Sequence, residues 1–343
     1  MSKAKTIWAL LKVIAPTAIT RMLVGHRPVV DGRRIDAEAQ AASALVSLLR
    51  DPDAMPSVEE SRRQLSNMAA KFDQPCPDDV VTRDIEIAGA FGPRRARVYV
   101  PSDGDPDGAL HTLFYLHGGG WVQGGIDTHD GLCGHIAKDA GIRVISYDYV
   151  LAPERRFPDA PDDVLAAYRS LLAADLGIEP AQLIVGGDSA GANLAAVLMH
   201  DLQEAGAPMP RGQLLIYPSV DGRLESRSME TLADQPLLPR KRIEWFLEHY
   251  LPEGQDRTVP RLSPLFSPLH VGQPPALIIV GGHDPLWDDG IAYAEALERA
   301  GVPVTLLRYE GQVHAFLSLT KVIREGREAR DAAIAWLARS FST

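Results

Sequence analysis

The sequence predicts an α/β fold: a mostly parallel eight-stranded sheet flanked by helices, with a helical cap. Three observations carry this reading. From Leu113 onward, short apolar runs of strand length alternate with helical patterns, as they do when strands are joined by crossover helices on both faces of a sheet. The first eighty residues show helical periodicity and no clear strand signal, and the stretch 220–267 interrupts the later alternation. Both departures are expected to lie outside the sheet.

Taken in order, Lys3 and Lys5 precede the apolar run Ile7-Trp8-Ala9-Leu10-Leu11, but Lys12 breaks it and no small-residue cleavage site follows. An amphipathic helix limited by Pro16 is therefore expected, in preference to a secretory signal. Helical patterns follow at 35–49 and 58–72, completing an amino-terminal cap segment over 1–80. After the break at Gln74-Pro75-Cys76-Pro77, strands are expected at 85–88 and 96–100, with a Gly92-Pro93 turn between them. Further strands are expected at 113–116, 144–147, 183–186, 214–217, 276–280 and 304–309. The core thus occupies 81–219 and 268–343, with 220–267 as a cap insertion. That insertion holds a helix at 241–250 between Pro239 and Pro252, and a proline-spaced passage at 262–268.

The 343 residues admit one large α/β domain with a lid, or two domains. A net charge of -10 argues against a nucleic-acid partner, which would require a basic surface. It argues equally against tight docking on an anionic membrane, although a local basic face can exist within an acidic whole. No run approaches the roughly 20 apolar residues that cross a bilayer, so no stable membrane insertion is expected. The two cysteines, Cys76 and Cys133, lack metal-ligand spacing, which points to a reduced, cytoplasmic chain without a structural metal.

The strongest chemical signal is Gly187-Asp188-Ser189-Ala190-Gly191, placed after an apolar strand-like run and before a long helix-forming stretch. In that setting a serine sits on a sharp strand-to-helix turn, and glycines on either side let neighbouring chain pack close. A serine alone is a poor nucleophile at neutral pH and needs a base, an orienting acid and oxyanion donors. The 113–116 run ends in His117-Gly118-Gly119-Gly120-Trp121, whose bare backbone N–H groups can turn to a ligand oxygen. The 276–280 run ends in Gly281-Gly282-His283-Asp284-Pro285-Leu286, and the last strand is followed by Val313-His314-Ala315-Phe316. The order Ser, Asp, His, each on a loop after a strand, is that of an α/β-hydrolase and not that of the chymotrypsin or subtilisin designs.

Together with Tyr149-Val150-Leu151-Ala152-Pro153-Glu154, these motifs resemble the successive signatures of the hormone-sensitive-lipase-like esterases, the bacterial family IV lipolytic enzymes, over roughly residues 80–340. The resemblance implies that Ser189 is the nucleophile, His314 the general base and Asp284 its orienting acid. It implies an oxyanion hole made by the N–H groups of Gly118, Gly119 and Ala190, and a serine carboxylesterase; the apolar cap points to short- to medium-chain acyl esters, and acyl transfer of this kind requires no metal or organic cofactor. It also leaves room for a homodimer through an edge strand or a terminal helix. Val150 and Ala192 depart mildly from the family pattern, where Arg and Gly are frequent.

Competing readings exist for each group. Asp288 and Asp289 are alternatives to Asp284, but fit better in the first turn of the next helix. His283 is expected to pack within its loop. Glu154 and Asp188 are expected to hold loops by hydrogen bonds, because an unpaired buried carboxylate is costly. Trp121 and Trp287 are candidates for lining the pocket, with core packing as the alternative. Trp8 and Met22 are candidates for contact with the acyl group. At the level of function, an amidase or deacetylase on the same fold is the second enzymatic reading, and a non-catalytic ligand-binding receptor is disfavoured by the presence of His314.

Overall fold

The computed structural model describes residues 3–49, 55–102, 104, 111–174 and 176–342; the remaining positions of the predicted cap segment and core, 50–54 among them, lie outside the described residues. The amino-terminal segment folds as α1 (Lys3–Ile14), α2 (Thr17–Val24), α3 (Ala37–Leu49) and α4 (Val58–Phe72). Between α2 and α3 lies an antiparallel hairpin, β1 (Val29–Val30) with β2 (Arg33–Arg34). Two residues per strand are too few to show alternation; the signal that marks it is Asp31-Gly32, whose φ values of 49° and 80° suit a tight hairpin turn.

The first two strands of the main sheet, β3 (Val80–Gly89) and β4 (Gly92–Pro101), are longer than their apolar cores suggest. The expected Gly92-Pro93 turn is corrected by one step, since both residues already pair in the ladder, with Gly89 and Ala88, and the turn is Ala90-Phe91. Next come β5 (Thr112–Leu116), α5 (Asp130–Ala140), β6 (Arg143–Tyr147), α6 (Asp159–Ala173), β7 (Leu183–Asp188), α7 (Ala190–Glu204) and β8 (Gly212–Ile216). The 220–267 stretch contributes α8 (Arg227–Thr231) and α9 (Arg240–Tyr250), after which β9 (Ala276–His283), α10 (Trp287–Arg299), β10 (Val304–Val313) and α11 (Arg324–Ser342) complete the chain.

The eight strands lie in the order β10-β9-β8-β7-β5-β6-β4-β3, parallel from β10 to β6 and antiparallel at β4 and β3. Every residue of β5 to β9 is buried, which is why those segments read as unbroken apolar runs. Side chains alternate between two cores: β5 sends Phe114 and Leu116 to the layer under α6 and α7, and Leu113 and Tyr115 to the layer under α5 and α11. Strand β5 has β6 on one side and β7 on the other, so the chain reverses its direction of progress there. Crevices open beyond the carboxyl ends of strands at such reversals.

Helices α1 and α2 attach more thinly. Ala9 and Val13 pack on Ala41 and Leu45 of α3, while Ile7, Trp8, Leu11, Ile14 and Met22 stay exposed. No helix among the described residues is long and apolar enough to cross a membrane, and Cys76 and Cys133 are free thiols.

Candidate active site

The carboxyl end of β7 passes into α7 through Ser189, which adopts φ 53° and ψ -116°. A residue with a Cβ holds that conformation only when its surroundings over-determine it. Here Ser189 N–H donates to the Ile216 carbonyl at 2.8 Å, and its own carbonyl accepts from Asn193 N–H at 3.0 Å. Gly191 permits the turn by close approach, since a Cβ there would sit 1.9 Å from the Leu116 carbonyl oxygen. Positive φ at non-glycine positions recurs nearby, at Trp121, Tyr217 and Ala315. Strain thus collects along the carboxyl edge of the sheet.

His314 follows β10 and Asp284 follows β9. The His314 Nε2 lies 3.0 Å from the Ser189 Oγ, and the His314 Nδ1 lies 2.7 Å from the Asp284 Oδ2. The second Asp284 oxygen accepts the Leu286 N–H at 2.9 Å, which fixes the carboxylate in its loop. Asp284 is fully buried and His314 nearly so, while Ser189 is partly open. The Tyr217 ring covers the imidazole, with centroids 4.8 Å apart. The three expected groups therefore form one continuous hydrogen-bonded line. Asp288 and Asp289 lie in the first turn of α10; Asp288 accepts the Ser228 N–H and Asp289 those of Val220 and Asp221, so neither competes for His314. The His283 ring meets the Arg33 carbonyl at 3.0 Å.

The glycine loop after β5 corrects one sequence expectation. Gly118 N–H donates to Asp188 Oδ1 at 2.8 Å, and an amide with one hydrogen so engaged is not available to a ligand. Among the described residues, no acceptor takes the N–H groups of Gly119, Gly120 or Ala190. Gly119 has φ 130°, and a Cβ there would fall 2.0 Å from the Gln123 carbonyl. Of the glycine amides in this loop, those of Gly119 and Gly120 are therefore the ones left without an acceptor among the described residues, whereas Gly118 is engaged. Which glycine amide Asp188 takes is not written in the glycine run itself.

Asp188 also accepts from Tyr115 Oη at 2.8 Å and from His129 Nε2 at 3.1 Å. Burial alone would raise its pKa, but the His129 charge and these donors outweigh burial and hold the carboxyl below its ordinary range. The same partnership raises His129 against its own burial. Neighbouring His117 is different: burial, then His129, press its pKa down to about 3, leaving it a neutral ring stacked on Tyr149. Glu154 receives a bidentate contact from Arg62 of α4, which also donates to the Val122 and Ala152 carbonyls.

Above Ser189 lies a pocket of about 100 Å³. Leu65, Met68 and Ala69 of α4, and Ile243 and Phe246 of α9, contribute to its walls. Trp121 lines it, stacked on Tyr250 at 4.6 Å. The other three expected contacts are not placed there. Trp287 turns instead to Arg33, whose guanidinium lies 4.7 Å from the ring centroid. Trp8 and Met22 are 51 % and 74 % exposed on α1 and α2. On α1 the inward stripe is made by Ala9 and Val13. Arg242 was not foreseen as a wall residue: it ties α9 to Ser61 of α4 and stacks over Trp245 and Phe246. The Ile243 and Phe246 spacing within the expected 241–250 helix was the available sign.

A family-wide profile described as alpha/beta hydrolase fold matches residues 113–318. The chain is 41 % identical over 280 residues to the ethyl acetate hydrolase of Pseudomonas putida, covering 79 % of this chain and 86 % of that one. It is 39 % identical over 316 residues to the carboxylic ester hydrolase LipN of Mycobacterium tuberculosis, covering 89 % and 83 %. Among solved structures, an ester hydrolase from the metagenome of Lake Arreo, complexed with a bipyridine phosphonate derivative, superimposes with a TM-score of 0.84 at 38 % identity, covering 89 % of this chain and 99 % of that one.

Proposed function

We infer that this chain, which belongs to the hormone-sensitive-lipase-like esterases of the α/β-hydrolase fold and is an ester hydrolase, cleaves short- to medium-chain acyl esters through a covalent acyl-enzyme on Ser189. The observation that carries this reading is the unbroken line from Asp284 through His314 to Ser189, at 2.7 and 3.0 Å, beside three backbone N–H groups that have no acceptor among the described residues.

His314 Nε2 takes the Ser189 proton as the Oγ attacks the ester carbonyl carbon. The carbonyl oxygen becomes an oxyanion and accepts hydrogen bonds from the N–H groups of Gly119, Gly120 and Ala190; one such donor is worth on the order of 10²–10³ in rate. Asp284 holds the Nδ1–H tautomer and stabilises the imidazolium. The proton then passes to the leaving alcohol, and water repeats the sequence on the acyl-enzyme. Helices α4 and α9 act as the cap. A pocket of about 100 Å³ favours small acyl groups, and the name of the Pseudomonas putida relative points the same way.

The test is turnover of p-nitrophenyl acetate and butyrate by Ser189→Ala and His314→Ala. Each variant is expected to lose roughly 10⁴–10⁶-fold in kcat with an unchanged melting temperature. A folded Ser189→Ala protein retaining a tenth of the activity overturns the assignment.

A further inference from the structure

A second cavity, about 660 Å³, lies beside the pocket at Ser189, on the adjacent face of α4. Its apolar walls are Leu10 and Ile14 of α1, Leu45 and Val46 of α3, Phe72 of α4 and Val322. The two spaces share one wall residue, Met68. Around α4, Leu65 and Ala69 face the Ser189 pocket, Gln64, Asn67 and Lys71 face the larger groove, and Met68 stands on the boundary.

We propose that the groove between α1, α3 and α4 is a subsite for an unbranched aliphatic chain of the ester, with Met68 as a movable partition between it and the reacting carbonyl. Methionine suits that place: three rotatable bonds let it swing aside without displacing the helix, and its thioether tolerates hydrocarbon. The groove's apolar walls stand open to water, an arrangement that a bound chain relieves. The small pocket then holds the carbonyl and its first carbons, and longer chains continue past Met68. This extends the range of substrates beyond the short esters that the inner pocket alone would accept. It rests on Ser189 being the acylated residue.

The experiment compares kcat/KM along two ester series, p-nitrophenyl acetate to dodecanoate and ethyl to dodecyl acetate, which separate an acyl from an alcohol chain. Three proteins are used: the wild type, Met68→Ala and Leu10→Asp, the last at a 42 % exposed position on the groove wall. Each methylene that enters the groove raises kcat/KM by up to about fourfold. Met68→Ala is expected to raise the octanoate-to-dodecanoate or octyl-to-dodecyl rates about tenfold relative to its own acetyl-ester rate, and Leu10→Asp to lower them about tenfold, with the shortest ester within twofold in Leu10→Asp. Calorimetric binding of dodecyl acetate to Ser189→Ala, with and without Leu10→Asp, reads the groove without turnover. Hydrolysis of the short ester with the same chain-length profile in all three proteins overturns the groove and leaves the esterase reading intact. Binding that Leu10→Asp weakens, in a protein that cleaves neither series, supports the groove and overturns the esterase reading instead.

Discussion

Asp188 stands beside Ser189 in sequence yet serves the loop opposite. Its carboxylate takes the Gly118 N–H, and that one bond fixes which of the three glycine amides remain for an oxyanion. An amide in its place offers one acceptor oxygen and turns an NH₂ toward either the Gly118 N–H or His129. Asp188→Asn is therefore expected to lower kcat for a short ester by roughly 10²–10³, the scale of one lost oxyanion donor, with a smaller change in KM. Its stability deficit should also depend on pH. His129 is raised above its ordinary 6.5, so its share is present below 6.5 and disappears as the pH rises through the raised value. Asp188 is held below 3.8, so its share is present above 3.8 and disappears as the pH falls through the lowered value. Urea unfolding should show the largest gap between wild type and variant at pH 4–6.5, and a gap that narrows on the alkaline side. A pH-independent gap would mean that the pair is not charged in the folded protein.

The strand-turn-helix formed by β7 and α7 is the element on which the geometry depends, because it docks against the end of β5. A methyl group at Gly191 would press on the Leu116 and His117 carbonyl oxygens, at 1.9 and 2.6 Å, both of them backbone. Neither can give way without moving β5. Gly191→Ala is thus expected to cost about 3 kcal/mol or more and to abolish turnover. Gly206→Ala is a matched control: open space surrounds the added methyl, and its φ of 59° costs only about 1–2 kcal/mol. Equal denaturation midpoints for the two variants would show that the elbow is not tightly docked. Such elements were legible in the sequence for a physical reason. Strands β5 to β9 are buried on both faces and read as apolar runs, and the loops at the ends of three of them carry the glycine run 118–120, Ser189 and Asp284. The destination of the Gly118 amide and the direction in which Trp8 and Trp287 point were not legible. They depend on partners distant in the chain, Asp188 and Arg33 among them, or on which stripe of a short helix finds a surface.

At the scale of the whole molecule, stability is distributed unevenly. Strands β5, β7, β8 and β9 are wholly buried and bonded to a strand on each side. Helices α1 and α2, of 12 and 8 residues, are too short to hold themselves in water and meet the rest through a small cluster. Helix α4 is intermediate, clamped by Arg62 to Glu154 and to the Val122 and Ala152 carbonyls. Elements that move on ligand binding are drawn from the least stable part of a fold, and here α1 borders the groove and α4 borders both the groove and the pocket. Native-state hydrogen exchange should therefore rank the amides. The four central strands should exchange only through global unfolding, and α1 and α2 by local opening at least about 10³-fold faster, equivalent to roughly 4 kcal/mol. Helix α4 should lie between them. Arg62→Ala should move α4 toward the fast class and leave the strands unchanged, since the clamp touches loops and not the sheet. Protection in α1 and α2 equal to that of β7 would refute the ranking.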